Sequence, residues 1–88
     1  MNRFKILDSV AIEPDRFVFA GEIIEGKVGR GMKFWVPEAG HKHEFVVRSV
    51  EAILKKGGTE LIGLVVENRT PSYLGGLGVG WTAELHEP

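Results

Sequence analysis

The 88-residue chain has no cysteine, which excludes a disulfide framework, a thiolate metal ligand and a cysteine nucleophile. It has almost no net charge, formally -1 at pH 7 from 11 basic and 12 acidic side chains. The overall basic excess of nonspecific nucleic-acid binders is therefore missing, and any basic surface must be local. No apolar run approaches the ~18 residues of a membrane-spanning helix. The opening, MNRFKILDSVAIEPD, is charged throughout and lacks the apolar stretch of a secretion signal. The expectation is a cytoplasmic protein with no membrane association. Helical periodicity is absent too: no segment sustains apolar residues at i, i+3, i+4 and i+7 between caps.

What is present is alternation. With 43% hydrophobic and 26% charged residues, the chain is too apolar for wholesale disorder and can bury a core. In LGVGWTAELHE, Leu77, Val79, Trp81, Ala83 and Leu85 fall on one side of an expected strand. Near the start, Phe4, Ile6, Val10 and Ile12 share a parity that Asp8 interrupts. MKFWV places Met32, Phe34 and Val36 opposite Lys33 and Trp35. RFVFAGEII is β-branched and aromatic. EFVVRSVEAIL reads as a strand that can end in a turn of helix near Ala52, Ile53, Leu54 and Lys55. ELIGLVVEN is a nearly continuous apolar run, as for a strand covered on both faces. Turn signals lie at Glu13-Pro14-Asp15, Gly26 to Gly31, Pro37 to Lys42, Lys56 to Thr59 and Asn68 to Gly76. Residues 1–88 form one domain on this reading: an all-β, six-stranded antiparallel barrel, closed so that no sheet edge is left to aggregate.

Gly21, Gly26 and Gly31 are spaced five apart in GEIIEGKVGRGMKFWV. As a phosphate loop the segment has the spacing and Lys27. It fails at Val28, where a hydroxyl should hold magnesium, and at Glu22 and Glu25, whose charges would fill an anion cradle. The better reading is strand, turn, strand, with Gly21 at a bulge or tight bend and Gly26 and Gly31 supplying positive φ or close approach at turns.

The same glycines carry a resemblance. Val18-Phe-Ala-Gly21, Gly26 and Gly31 through Val36 resemble the signature of the second, β-barrel domain of translational GTPases such as elongation factor Tu. FKILDSVAI resembles that family's first strand, with Asp8 at its common acidic position. FVVRSVEAI, residues 45–53, and LIGLVVE resemble later strands, so the likeness spans residues 4–85. Glu13-Pro14-Asp15-Arg16 and NRTPSYLGGLGVGW depart from it. No complete phosphate loop, DxxG or NKxD is present, so the resemblance implies the fold without GTP binding by this chain alone. In the full-length factors the barrel helps hold the aminoacyl end of transfer RNA and contacts ribosomal RNA.

Little in the sequence suggests catalysis. Ser9, Ser49 and Ser72 lack a nucleophile-elbow context, and nothing brings Glu22 and Glu25 together. His41 and His43 in GHKHE are weak metal candidates, with Glu44 or Glu38 as further donors; a solvated hairpin tip explains them equally, and no cofactor is expected. Lys27, Arg30 and Lys33 surround the glycine turn with Trp35 two residues on, and Lys42 and Arg48 extend the basic character. Cations interleaved with an aromatic can follow a phosphate backbone and stack a base, with Trp35 or Phe17 exposed. Asp8 is a further candidate, by the resemblance. Tyr73 and Leu74 could anchor a partner or plug the barrel. The expected function is a noncatalytic binding module contacting RNA or a translation-related partner. The alternative is a protein–protein adaptor or self-associating structural domain with no nucleic-acid role.

Overall fold

Alternating apolar residues without helical periodicity resolve into strands. The computed structural model describes residues 1–13, 16–38, 40–54, 57–58, 60–67 and 77–88, and all six regular elements among them are β-strands. These are β1 (Asn2–Glu13), β2 (Arg16–Glu25), β3 (Lys33–Glu38), β4 (His41–Leu54), β5 (Glu60–Glu67) and β6 (Thr82–Leu85). Their order across the sheet is β3-β4-β5-β2-β1-β6, with every pairing antiparallel. The two outermost strands then meet. Lys33 N–H donates to the His86 carbonyl at 2.9 Å and His86 N–H donates to the Lys33 carbonyl at 2.8 Å. That one bridge turns the sheet into a nearly closed barrel. Among the described residues no helix is long and apolar enough to cross a membrane.

The interior is aromatic. All five phenylalanines, Phe4, Phe17, Phe19, Phe34 and Phe45, are buried. Phe19 sits among three of them, with ring centroids 5.1 Å from Phe17, 5.4 Å from Phe34 and 5.0 Å from Phe45, in tilted or edge-to-face contacts. Such geometry suits the ring quadrupole and adds to the gain from burial. Phe17 is therefore core and not an exposed stacking residue. Met32 and Val36 join the core while Lys33 and Trp35 face out, as the alternation of β3 requires. β5 lies between β2 and β4 and is buried on both parities, at Leu61, Gly63, Leu64, Val65 and Val66.

Three expectations are corrected, each by a local backbone event. In β1, Ile6 pairs with Gly21 but Asp8 pairs with Ala20, so Leu7 is an extra residue and the parity flips there. Ser9 turns inward at 3% exposure, while Val10 and Ile12 face solvent at 50% and 57%. Asp8 is exposed for the same reason and does not interrupt a buried face. Near the C-terminus residues 77–80 form a turn in which Gly78 and Gly80 have φ of 73° and 89°. Alternation therefore holds only from Thr82: Ala83 and Leu85 are buried, and Trp81 and Val79 are exposed. Finally, β4 stays extended to Leu54, paired with Glu60 of β5, and forms no helical turn.

The glycine reading of the 21–36 segment holds. A Cβ on Gly21 would collide with the Lys5 carbonyl oxygen of the neighbouring strand, and Gly26 and Gly31 take φ of 72° and 90°. The expected turn between β3 and β4 is tighter than Pro37 to Lys42, because pairing persists to Glu38 and His41. Most of the turn signals at 13–15, 56–59 and 68–76, and with them Ser72, Tyr73 and Leu74, lie outside the described residues. Gly57 and Gly58 do form a turn, with φ of 100° and 88°.

Two substitutions separate the glycine roles. Gly21→Ala forces backbone against backbone and is expected to cost at least about 3 kcal/mol, the upper end for overpacking. Gly40→Ala, with φ of 83° and nothing within 4 Å of its Cβ, is expected to cost only about 1 kcal/mol for the left-handed backbone. Urea unfolding measures both, and equal losses would show that the Lys5 contact does not constrain Gly21.

Candidate nucleic-acid interface

The site grows out of the seam between β3 and β6. Strand alternation points the Trp35 carbonyl to the same edge as that of Lys33, and there it accepts a hydrogen bond from the Trp81 indole Nε1–H at 3.2 Å. A side chain takes over where the backbone ladder ends. Pro37 follows on this edge, a position where a missing N–H costs nothing. Trp81 is held from below: its carbonyl accepts from Ile6 N–H at 2.9 Å, its N–H donates to the Gly78 carbonyl at 2.9 Å, and Gly80 N–H donates to the Ile6 carbonyl at 2.8 Å. The buried Ser9 hydroxyl ties the same turn to β1 by donating to the Leu77 carbonyl at 2.8 Å.

Above the seam lies an open groove of about 590 Å³. Trp35 and Pro37 of β3 form one wall, and Trp81, Thr82, Glu84 and His86 form the other, with Lys42 of β4 at one end. The rings are oriented before any ligand arrives, since Trp35 packs edge-on against His86 with centroids 5.5 Å apart. His86 Nε2 also lies 3.9 Å from a Glu84 carboxylate oxygen.

A second cleft, of about 570 Å³, runs over β4 and shares Lys42 with the first. Its cations are Arg30, Lys33, Lys42 and Arg48, with His43 beside them and Glu44 and Glu67 as the acids. Two features bring these residues together. The turn before β3 is pinned to β4, with Gly31 N–H donating to the Val47 carbonyl at 2.8 Å and Val47 N–H donating to the Met32 carbonyl at 2.9 Å, which sets Arg30 beside Arg48. In addition, Val47 pairs with Val66 but Ser49 with Val65, so Arg48 is itself the extra residue of a bulge and projects outward. Arg48 reaches Glu67 at 3.2 Å, an exposed pair of small net worth. Among the described residues no ion pair engages Arg30, Lys33 or Lys42. A third, smaller cleft carries the basic surface on from Arg30 and Arg48 to Arg16.

Of the residues expected at a binding site, Arg30, Lys33, Trp35 and Arg48 are thus brought together, and Lys42 joins the two grooves. Lys27 is not with them: its Nζ lies 3.5 Å from Glu87, and its N–H donates to the Asn2 side-chain oxygen at 2.9 Å. Asp8 sits on the outside of β1, where its carboxylate accepts the Ser9 N–H at 2.8 Å, and it lines neither groove. His41 and His43 lie on β4, in no group of three or more possible metal ligands among the described residues. The sequence reading missed Trp81, Glu84 and His86 as site residues. The signal for Trp81 was there in Gly78 and Gly80, whose positive φ ends the alternation assumed across them. Glu84 and His86 became site residues only through the seam. No family model, no curated protein and no solved structure matches this chain.

Trp81→Phe keeps the ring and deletes the indole donor. We expect it to cost about 1 kcal/mol, the net worth of one hydrogen bond, and to speed amide exchange at Lys33 and His86 more than at Leu64. Unchanged exchange at the seam would mean that the indole bond does not support closure.

Proposed function

We propose that this chain is a noncatalytic module that binds single-stranded RNA. The observation that carries the proposal is the continuity of the basic cleft with the two-tryptophan groove through Lys42. Phosphates lie along Arg30, Lys33, Lys42 and Arg48, and a base stacks on the indoles at the end of that track. Stacking is tolerant of sequence and electrostatics supplies most of the affinity, so a chain with a net charge of -1 can bind if its cations are segregated on one face. Glu67 competes with phosphate for Arg48, at little cost because the pair is exposed.

We further propose that the barrel is of the kind found as the second domain of translational GTPases, acting in the cytoplasm without a nucleotide-binding domain in this chain. The three glycines with their observed roles and the resemblance over residues 4–85 support that reading. The adaptor reading rests instead on the outward Val10 and Ile12 of β1, which lie outside both grooves.

Fluorescence anisotropy with a short, labelled, unstructured RNA tests the proposal. Binding is expected to weaken steeply between about 50 and 200 mM salt, with a log–log slope near -3 for four phosphate contacts at roughly 0.7 each. Charge reversal at Arg30 and Arg48 together is expected to weaken it by about tenfold or more and to lower the slope by about 1.4. Lys27→Glu, remote from the track, is expected to change affinity by less than about twofold. No binding at the lowest salt would exclude the RNA function and favour the adaptor.

A further inference from the structure

Resting on the RNA reading, we propose that the groove between Trp35 and Trp81 is a guanine-selective base pocket, with Glu84 as the residue that selects. Beside the Thr82 hydroxyl and the His86 imidazole that packs on Trp35, the groove offers three chemistries at once: indole surface, one carboxylate and one ammonium group. A ligand that satisfies all three has a flat ring, a row of N–H donors on its edge and a negative charge beyond it. A nucleotide in an RNA chain has the ring and the phosphate, so the donor row decides which base fits.

Among the four RNA bases only guanine presents two adjacent N–H donors, at N1 and N2, on its pairing edge. A carboxylate accepts both in parallel, the geometry that makes paired charge-assisted bonds strong and directional. Adenine and cytosine set an amino donor beside a ring-nitrogen acceptor, which meets the second carboxylate oxygen with repulsion. Uracil has one donor between two carbonyls. A wrong base therefore leaves Glu84 desolvated and half-paired.

Position and preorganisation support the assignment. Glu84 is the carboxylate of this groove, on the outward parity of β6, whereas Glu44 lines the basic cleft instead. Its side chain is 47% exposed, and the nearest charge partner is His86 at 3.9 Å, too long for a hydrogen bond. Its oxygens can therefore turn to a ligand. Both indoles are already fixed, Trp81 by its bond to the Trp35 carbonyl and Trp35 by its contact with His86, so little ordering entropy remains to be lost on stacking. Lys42 stands where the groove meets the basic cleft and can take the adjoining phosphate. It also disfavours cationic ligands, which the indoles and Glu84 would otherwise attract.

The test uses the full chain and two kinds of probe. In anisotropy titrations, an oligouridylate carrying one guanosine is expected to bind about tenfold or more tighter than plain oligouridylate, the discrimination typical of one good bidentate contact. In tryptophan fluorescence titrations, GMP is expected to quench at lower concentration than AMP, CMP or UMP. Glu84→Gln, checked for an unchanged melting temperature, should bring the guanosine preference within about twofold, by weakening binding of the guanosine probe and not that of oligouridylate. Equal, salt-dependent binding of both RNAs would overturn guanine selection and leave the RNA function standing. A preference that survives in Glu84→Gln would overturn the role of Glu84. No binding of either RNA would overturn both readings together.

Discussion

Closure of the barrel depends on one reciprocal pair of backbone hydrogen bonds, between Lys33 and His86. β3 and β6 would otherwise be the free edges of a twisted sheet, open to pairing with another chain. Among the described residues the seam has this single bridge, and further along it the Trp81 indole bonds the Trp35 carbonyl. The incompleteness of the seam also creates the groove. Two strands held at one end and bridged by a side chain further on leave a furrow between their outward residues, and the Trp81 ring stays on the surface where its indole N–H bridges to the Trp35 carbonyl.

The basic cleft has a different origin, in the outward parity of β4 and the turn that precedes β3. A regular β4 would place Arg48 within a paired register. Alternation from the buried Phe45 and Val47 already puts it on the outside, the bulge after Val47 frees it from pairing, and the pinned turn at Gly31 delivers Arg30 to the same place. Bulges interrupt pairing at the cost of a ladder bond and re-aim the side chains beyond them. The bulge at Leu7 does the same on β1, where it sends Asp8, Val10 and Ile12 outward and Ser9 inward to bond the Leu77 carbonyl. The inward Ser9 and the C-terminal turn thus rest on departures from alternation, while the phenylalanine core and the outward residues of both grooves rest on alternation being kept.

Much of the fold was legible in the sequence. The strand content, the alternation of Met32 through Val36, the doubly buried β5 and the structural roles of Gly21, Gly26 and Gly31 all stem from residue type and spacing. Part of the site was legible as well, since Arg30, Lys33 and Trp35 lie within six residues of one another. Arg48 was legible only as a nearby cation. Lys27 was misplaced because nearness in sequence to a turn does not say to which side of it a long side chain turns, and Glu87 lay far along the chain. Phe17 was offered as a possible exposed ring because one strand cannot reveal which of its faces a closed sheet encloses.

The sequence by itself determined the class of structure: period-two alternation with glycine-marked turns and no helical periodicity admits little but an antiparallel β domain, because backbone pairing and burial of one face demand that pattern. It also determined that any basic surface had to be local. Only the tertiary structure decided where parity flips, since a bulge is a property of two paired strands and neither carries it alone. Only the tertiary structure decided, too, that Trp35, Trp81, Glu84 and His86 share a groove, because they meet across a seam joining strands separated by most of the chain.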